Sequence, residues 1–203
     1  MKLSGHIQMR VDIQNNTFFK KALNKAFPEL NASDFSGISI DSRNIKPGDI
    51  FLAFKGESSD GHNYISQAES AGASIAIIER EVETSLPSFQ AESTQKFLHD
   101  LASAYRNHIT CPFIGITGSN GKTTTKDLLT HVLSASMKTM STKGNFNSTI
   151  GVPLSIFECN GNEDIAIIEM GASMPGEIEY ICNIVRPNMG IITNIYEAHL
   201  EYF

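Results

Sequence analysis

The chain has 203 residues, 41% of them hydrophobic and 19% charged, which suits one or two globular domains with real cores. Sixteen basic residues against twenty-two acidic ones leave a net charge of −6, and with no Lys/Arg run this balance argues against a nucleic-acid partner. Cys111, Cys159 and Cys182 are odd in number, widely spaced and without a C-x-x-C pair, the N-terminus lacks the continuous apolar core of a signal peptide, and no segment approaches the roughly 18 apolar residues of a membrane span, so a soluble, unprocessed cytoplasmic protein is expected.

In chain order, β-rich runs predict strands over 37–40, 49–54 and 74–79. Asp41-Ser42-Arg43 follows the first of them and Lys46-Pro47-Gly48-Asp49 turns into the second. Asp60-Gly61-His62 then opens a helix through Ala71. Capping and turn formation account for Asp60 and Gly61, whereas Ser42 with Arg43 also suits an anionic or hydrogen-bonding ligand. The residues alone leave that choice open.

The stretch E-V-E-T-S-L-P-S-F-Q-A-E-S over 81–93 is polar and carries a proline, which places a domain boundary there: 1–84 and 85–203. Beyond it, Phe97, Leu98, Leu101, Ala104 and Tyr105 make a helical stripe, as do Ile178, Ile181, Cys182 and Val185. Strands are expected over 113–117, 165–170 and 189–194, with a fourth candidate over 138–141. Strands alternating with helices mark an α/β fold, a small first domain followed by a second with a mainly parallel sheet. So few strands do not close a doubly wound sheet, so the chain reads as a fragment of a longer protein, with an exposed sheet edge and an uncovered apolar face.

The richest stretch, G-I-T-G-S-N-G-K-T-T-T over 115–125, is an apolar strand running into a glycine loop and then a helix. Such a loop turns backbone N–H groups into one concavity and adds the positive end of the helix dipole, so a polyphosphate is the natural ligand. The G-x-x-x-x-G-K-[ST] spacing is not met, since Ile116 stands where its first glycine belongs, and the loop reads T-G-x-x-G-K-T-T. Thr117, Gly118, Ser119, Asn120, Gly121, Lys122, Thr123 and Thr124 are the candidate phosphate-binding residues, with Lys122 reaching the outer phosphates and Thr123 facing Mg²⁺.

An acidic residue at the end of a neighbouring apolar strand completes such a site, because Mg²⁺ takes hard oxygen ligands. Ile165-Ala166-Ile167-Ile168-Glu169 supplies one, with a salt bridge as the alternative reading. The Gly- and Asn-rich run Lys143-Gly144-Asn145-Phe146-Asn147-Ser148-Thr149-Ile150-Gly151 suits either a plain turn or a ligand site. His199, in a loop after the last strand, is uninterpretable by itself.

T-G-S-N-G-K-T-T over 117–124, G-N-F-N-S-T-I-G-V-P over 144–153, I-I-E-M-G-A over 167–172, P-G-E-I over 175–178 and N-I-Y-E-A-H-L-E over 194–201 together resemble the Mur ligases, most closely the branch that adds D-alanyl-D-alanine. D-S-R over 41–43, P-G-D-I-F-L-A-F-K-G over 47–56 and D-G-H over 60–62 are similar to the same family's small uridine-nucleotide domain. The resemblance spans nearly the whole chain beyond a divergent first 35 or so residues.

The resemblance implies an ATP- and Mg²⁺-dependent amide ligase of peptidoglycan precursor synthesis. Its substrates would be UDP-N-acetylmuramoyl-tripeptide and D-alanyl-D-alanine, joined through an acyl phosphate, and the full-length enzyme would be a monomer. By matching position, Lys122, Glu169 and His199 would be catalytic, and Thr123, Glu169 and His199 would hold metal. Asn145, Asn147 and Thr149 would face the tripeptide and the transferring phosphoryl group, and Ser42 and Arg43 the uridine or diphosphate. The family's third domain and its carbamylated lysine would lie beyond Phe203, so this fragment is expected to lack turnover. The alternatives are the relative that adds the third amino acid and a P-loop regulatory module; the guanine-reading N-K-x-D run of switch proteins is absent.

Overall fold

The computed structural model describes residues 9–30, 34–56 and 59–197, which form two compact units dividing between Leu101 and Ala102. In the first, β1 (Arg10–Asp12), β2 (Gly37–Ser39), β3 (Ile50–Leu52), β4 (Ile75–Ile78) and β5 (Ser88–Gln90) stand side by side in that order. β1 runs antiparallel to β2, and the other three pairs are parallel. Parallel strands are covered on both faces, which is why every residue of β2 and β3 is buried and β3 and β4 read as unbroken apolar runs. One of these cores gathers Phe51, Ala53, Ala76 and Ile78 with Ile45, Ile65, Ala68 and Leu86.

β1 and the helix α1 (Asn16–Ala26) are elements that the sequence reading did not predict. Asn15 caps α1, its side-chain oxygen accepting from the Phe18 N–H at 3.0 Å, and Phe19, Ala22 and Leu23 form its buried stripe. β1 is held through Arg10, whose Nε and Nη2 donate to the two Asp49 carboxylate oxygens at 2.6 and 2.8 Å. Both side chains are buried, at 7% and 0% exposure, and Asp49 also accepts from the Lys46 N–H at 2.8 Å.

The helix expected from Asp60 to Ala71 is two pieces, a 3₁₀ turn over Gly61–Tyr64 and α2 (Ile65–Ser70). Asp60 opens the turn, its Oδ1 accepting from the His62 N–H at 3.0 Å and lying 2.6 Å from the ring Nδ1, while Oδ2 accepts from Arg80 at 3.1 Å. The His62 Nε2 accepts from the Glu79 N–H at 2.9 Å, so the ring proton sits on Nδ1 and is donated to Asp60. These bonds, the His62 backbone N–H foremost, lower the Asp60 carboxyl to about 2.

The units divide later than the boundary at 84/85 expected from composition. The polar stretch 81–87 is the connection between β4 and β5, and β5 pairs in parallel with β4. Phe89 on β5 and Phe97 on α3 (Thr94–Arg106) pack against Phe27, the latter stacked at 4.2 Å. The Glu79 carboxylate accepts from the Thr94 N–H and hydroxyl at 2.7 and 2.8 Å, fixing the start of α3 to the first unit. A sheet edge and an aromatic cluster thus outweigh a proline as a domain marker.

The second unit is a four-stranded parallel sheet in the order β7 (Thr139–Ser141), β8 (Ile165–Glu169), β6 (Phe113–Thr117) and β9 (Met189–Ile192). Its helices are α4 (Lys122–Leu133), α5 (Gly151–Ile156) and α6 (Glu177–Val185). Ile114, Ile116, Ile165 and Ile167 form one core against Leu129 and Leu133 of α4. The last turn of α3 is built into this unit: the Tyr105 hydroxyl donates to the Cys159 carbonyl at 2.6 Å, and the Arg106 guanidinium, 3.7 Å over the Phe113 ring, donates to the carbonyls of Val185 and Ile109. Burial lowers the Arg106 pKa from its ordinary value. β9 occupies an edge among the described strands, with Met189 and Ile192 more than half exposed, in keeping with the exposed edge expected from the strand count. No described helix is long and apolar enough to cross a membrane, and the three thiols are free.

Two measurements check the first unit. Asp49→Ala leaves a guanidinium buried without its partner and is expected to cost about 3–5 kcal/mol in urea unfolding; a loss below about 1 kcal/mol would contradict the buried pair. Asp60, held ionised below its ordinary value of 3.8, contributes stability that is present above that value and lost as the carboxyl protonates towards about 2. The advantage of the natural protein over Asp60→Asn in thermal unfolding should therefore shrink as pH falls from about 5 to about 2, and an unchanged advantage would refute it.

Candidate functional site

In an open parallel sheet the carboxyl ends of the strands are where side chains and loop amides converge. β6 lies between β8 and β9, with Ile116 opposite Glu169 and Thr117 opposite Ile192. Three strand ends therefore deliver the 118–121 loop, Glu169 and residues 193–196 to one place.

The loop needs both of its glycines. Gly118 has φ 135°, and a Cβ there would stand 2.2 Å from the Thr193 hydroxyl and 2.9 Å from the Asn194 carbonyl oxygen. Gly121 has φ 79°, the left-handed conformation, immediately before α4. The first N–H of this helix to find a carbonyl is that of Thr125, on Gly121 at 2.9 Å. The amides of Gly121, Lys122, Thr123 and Thr124 find no acceptor among the described residues, and they lie at the positive end of the helix dipole. Ser119 and Asn120 differ: their N–H groups donate to the Asn194 carbonyl at 3.0 Å and to Asn194 Oδ1 at 2.9 Å. Lys122 folds back, its ammonium donating to the Gly118 carbonyl at 2.6 Å and the Ser119 carbonyl at 3.3 Å.

Glu169, at the end of β8, is 1% exposed. Its Oε1 accepts from the Thr123 hydroxyl at 3.1 Å and from Asn147 Nδ2 at 2.7 Å, and its backbone N–H donates to the Thr142 hydroxyl at 3.0 Å. Oε2 is buried with no partner among the described residues. A buried carboxylate oxygen left bare is costly, so this atom fits a positively charged ligand. The donors beside it, a carboxylate oxygen and a threonine hydroxyl, are the hard oxygens that suit Mg²⁺, an ion that keeps water and phosphate oxygens as its remaining ligands.

Of the sequence candidates, Thr117 to Thr124, Glu169 and Asn147 meet here. Asn147 is engaged with Glu169 through its side chain, and its carbonyl accepts from the Gly171 N–H at 2.7 Å. Asn145 is exposed, and Thr149 is half-buried shortly before α5. His199 lies outside the described residues. In the first unit, Ser42 is buried, its hydroxyl donating to Gln67 at 2.8 Å, and the exposed Arg43 donates through Nε and Nη2 to Asp41 at 2.8 and 2.7 Å.

Four contributors escaped the sequence reading: Lys126, Thr142, Thr193 and Asn194. Lys126 is buried, and its ammonium donates to the Thr142 carbonyl at 2.9 Å. Its position four residues after Lys122, on the same helix face, was the available signal. Nothing local marks the others, whose partners lie 16 to 76 residues away in the chain.

The geometry of a glycine loop joining a central parallel strand to a helix, with an acidic residue at the end of the next strand, defines the second unit as a P-loop α/β fold. The family profile described as the Mur ligase middle domain matches residues 116–203, and that of the Mur ligase family catalytic domain matches 34–107. The chain belongs to the Mur ligase family.

Among curated relatives, the UDP-N-acetylmuramoyl-tripeptide--D-alanyl-D-alanine ligase of Synechocystis sp. is 40% identical over 168 residues, covering 81% of this chain and 37% of the relative. The Escherichia coli ligase of the same name is 34% identical over 177 residues, covering 86% and 39%. The chain thus spans under two fifths of the length of these relatives. Of solved structures, MurF from Acinetobacter baumannii superposes with a TM-score of 0.82 at 35% identity, over 89% of this chain and 42% of that one. MurF ligase from Thermotoga maritima in complex with ADP does so at 0.75 and 37%, over 80% and 38%.

Asn147→Leu removes a donor from a buried carboxylate and is expected to destabilise the chain by about 1.5–3 kcal/mol in chemical denaturation. Unchanged stability would mean that Asn147 does not support Glu169.

Proposed function

We propose that the chain is the uridine-nucleotide and ATP-handling part of a ligase that adds D-alanyl-D-alanine to UDP-N-acetylmuramoyl-tripeptide in the cytoplasm, the full-length enzyme acting as a monomer. The observation that carries this reading is the buried Glu169 oxygen without a partner, set beside Thr123 at the start of α4 and below a row of unspent amides. The names of the relatives and the ADP complex of a similar structure support ATP as the nucleotide and the D-alanyl-D-alanine-adding branch as the chemistry. The first unit is assigned to the UDP-sugar peptide, with Arg43 exchanging Asp41 for the diphosphate and Ser42 shaping the turn that presents it.

The chemical problem is that a carboxylate resists attack, since a nucleophile would add charge to an anion and expel an oxide. In the proposed reaction the tripeptide carboxylate attacks the γ-phosphorus, the bond to the β-phosphate oxygen breaks, and ADP leaves with that electron pair. The amine of D-alanyl-D-alanine then adds to the acyl phosphate, and the tetrahedral intermediate expels inorganic phosphate while the nitrogen loses a proton. Little covalent work falls to the protein, which positions the reactants and neutralises charge.

The Gly121 to Thr124 amides bind the phosphate oxygens, and Lys122 leaves the Gly118 and Ser119 carbonyls to follow the charge onto the β- and γ-phosphates. Thr123 and Glu169 hold Mg²⁺, which when bound supplies further neutralisation of the phosphate oxygens. His199 is assigned to a second metal position, and Asn145 and Thr149 to the tripeptide. Asn147 orients the Glu169 carboxylate.

Lys122→Ala in the full-length enzyme is expected to lower kcat/KM for ATP-dependent ligation by about 100-fold or more. A variant that ligates near the natural rate would overturn the assignment.

A further inference from the structure

The 118–121 loop does not hold its own shape. Asn120 is gripped on both sides of its backbone by one side chain: its N–H donates to Asn194 Oδ1 at 2.9 Å, and its carbonyl accepts from Asn194 Nδ2 at 3.0 Å. The same carbonyl accepts from the Thr193 hydroxyl at 2.6 Å. Next to it, the Ser119 N–H donates to the Asn194 carbonyl at 3.0 Å, and the Ser119 hydroxyl both donates to the Tyr196 carbonyl and accepts from the Tyr196 N–H, each at 2.9 Å. Thr193 itself is fixed to the sheet, its N–H donating to the Thr117 carbonyl at 2.9 Å.

Two consequences bear on an anion. Backbone carbonyls repel phosphate, and here those of Gly118, Ser119 and Asn120 are all turned onto donors, the first two onto Lys122 and the third onto Thr193 and Asn194. The Ser119 and Asn120 amides are already spent, which leaves the cradle to the amides of Gly121 to Thr124. When Lys122 swings out to phosphate, the Gly118 and Ser119 carbonyls lose their donor, but the Asn120 carbonyl keeps both of its own. That carbonyl immediately precedes Gly121, the first amide of the cradle, so its direction and the direction of the Gly121 N–H are set by one peptide plane.

We infer that Thr193 and Asn194 are positioning residues for nucleotide binding: by holding the Asn120 carbonyl they aim the Gly121 amide and preorganise the phosphate cradle. The inference rests on the proposed reading of the loop as the ATP site. Both side chains are spent on the Asn120 backbone, so their loss is expected to fall on nucleotide affinity and to leave the other two substrates alone. Both hold one carbonyl, so their effects are coupled.

The test uses the full-length enzyme with Asn194→Ala, the isosteric Thr193→Val and the double variant. Each is followed by calorimetric titration with a magnesium-loaded, non-hydrolysable ATP analogue, by steady-state kinetics and by thermal unfolding. Asn194→Ala is expected to weaken the analogue and raise the KM for ATP by about tenfold, the scale of a lost hydrogen bond or two. Its kcat at saturation should stay within about threefold, and the KM values of the UDP-tripeptide and the dipeptide should not move. Thr193→Val should act in the same direction, and the double variant should lose less than the product of the two. Natural nucleotide affinity in Asn194→Ala, or an equal loss for all three substrates, overturns the inference. Should Asn194→Ala fail to fold, Thr193→Val decides it by the same criteria. Failure of the unmutated enzyme to bind the analogue is a separate result, which removes the ATP reading and the inference together.

Discussion

A carboxylate can be buried at the end of a parallel strand only if donors or a cation compensate it, and Glu169 imposes that condition on everything around it. Two elements answer, α4 with the Thr123 hydroxyl and the 144–150 segment with Asn147, while the Thr142 hydroxyl, in the residue after β7, accepts from the Glu169 N–H. Lys126 secures Thr142 in turn. One oxygen is still left over, and the proposed metal-holding role of Glu169 rests on that imbalance. Asp49 is the structural contrast, since both of its oxygens are used by Arg10 and by the Lys46 N–H.

The loop beside Glu169 obeys a second constraint, the disposition of main-chain groups of opposite polarity. Carbonyls must point away from an anion and amides toward it, yet both alternate along every peptide. Glycine at 118 and 121 makes the necessary backbone turns accessible, but it also makes many others accessible. The side chains that choose among them come from the end of β9, more than 70 residues further on. Loop and sheet are thus one device: the register of β6 against β9 brings Thr193 and Asn194 within reach of Asn120.

Legibility in the sequence followed the range of the interactions involved. Five-residue apolar runs at Phe113–Thr117 and Ile165–Glu169 were visible because parallel strands buried on both faces leave no alternation to misread. β1 and β5 were not, being three residues long with mixed polarity, and they exist because a neighbouring strand offers them hydrogen bonds. The domain boundary went astray for the same reason. Glu79, Phe89 and Phe97 bind the residues on either side of Pro87 into a single unit, and no local composition records that.

What the sequence determined by itself was the chemistry on offer: a glycine loop before a helix, a lysine and a threonine at its start, and a glutamate ending an apolar strand. These are local patterns, because a strand–loop–helix turn and a strand terminus are each written in fewer than a dozen consecutive residues. Only the tertiary structure decided which amides remain free, which carbonyls are turned away, and that Asn147 serves Glu169. Apart from the Gly118 and Ser119 carbonyls, which nearby Lys122 holds, those outcomes depend on hydrogen bonds between residues 22 to 77 positions apart, whose geometry comes into being when four parallel strands align their carboxyl ends.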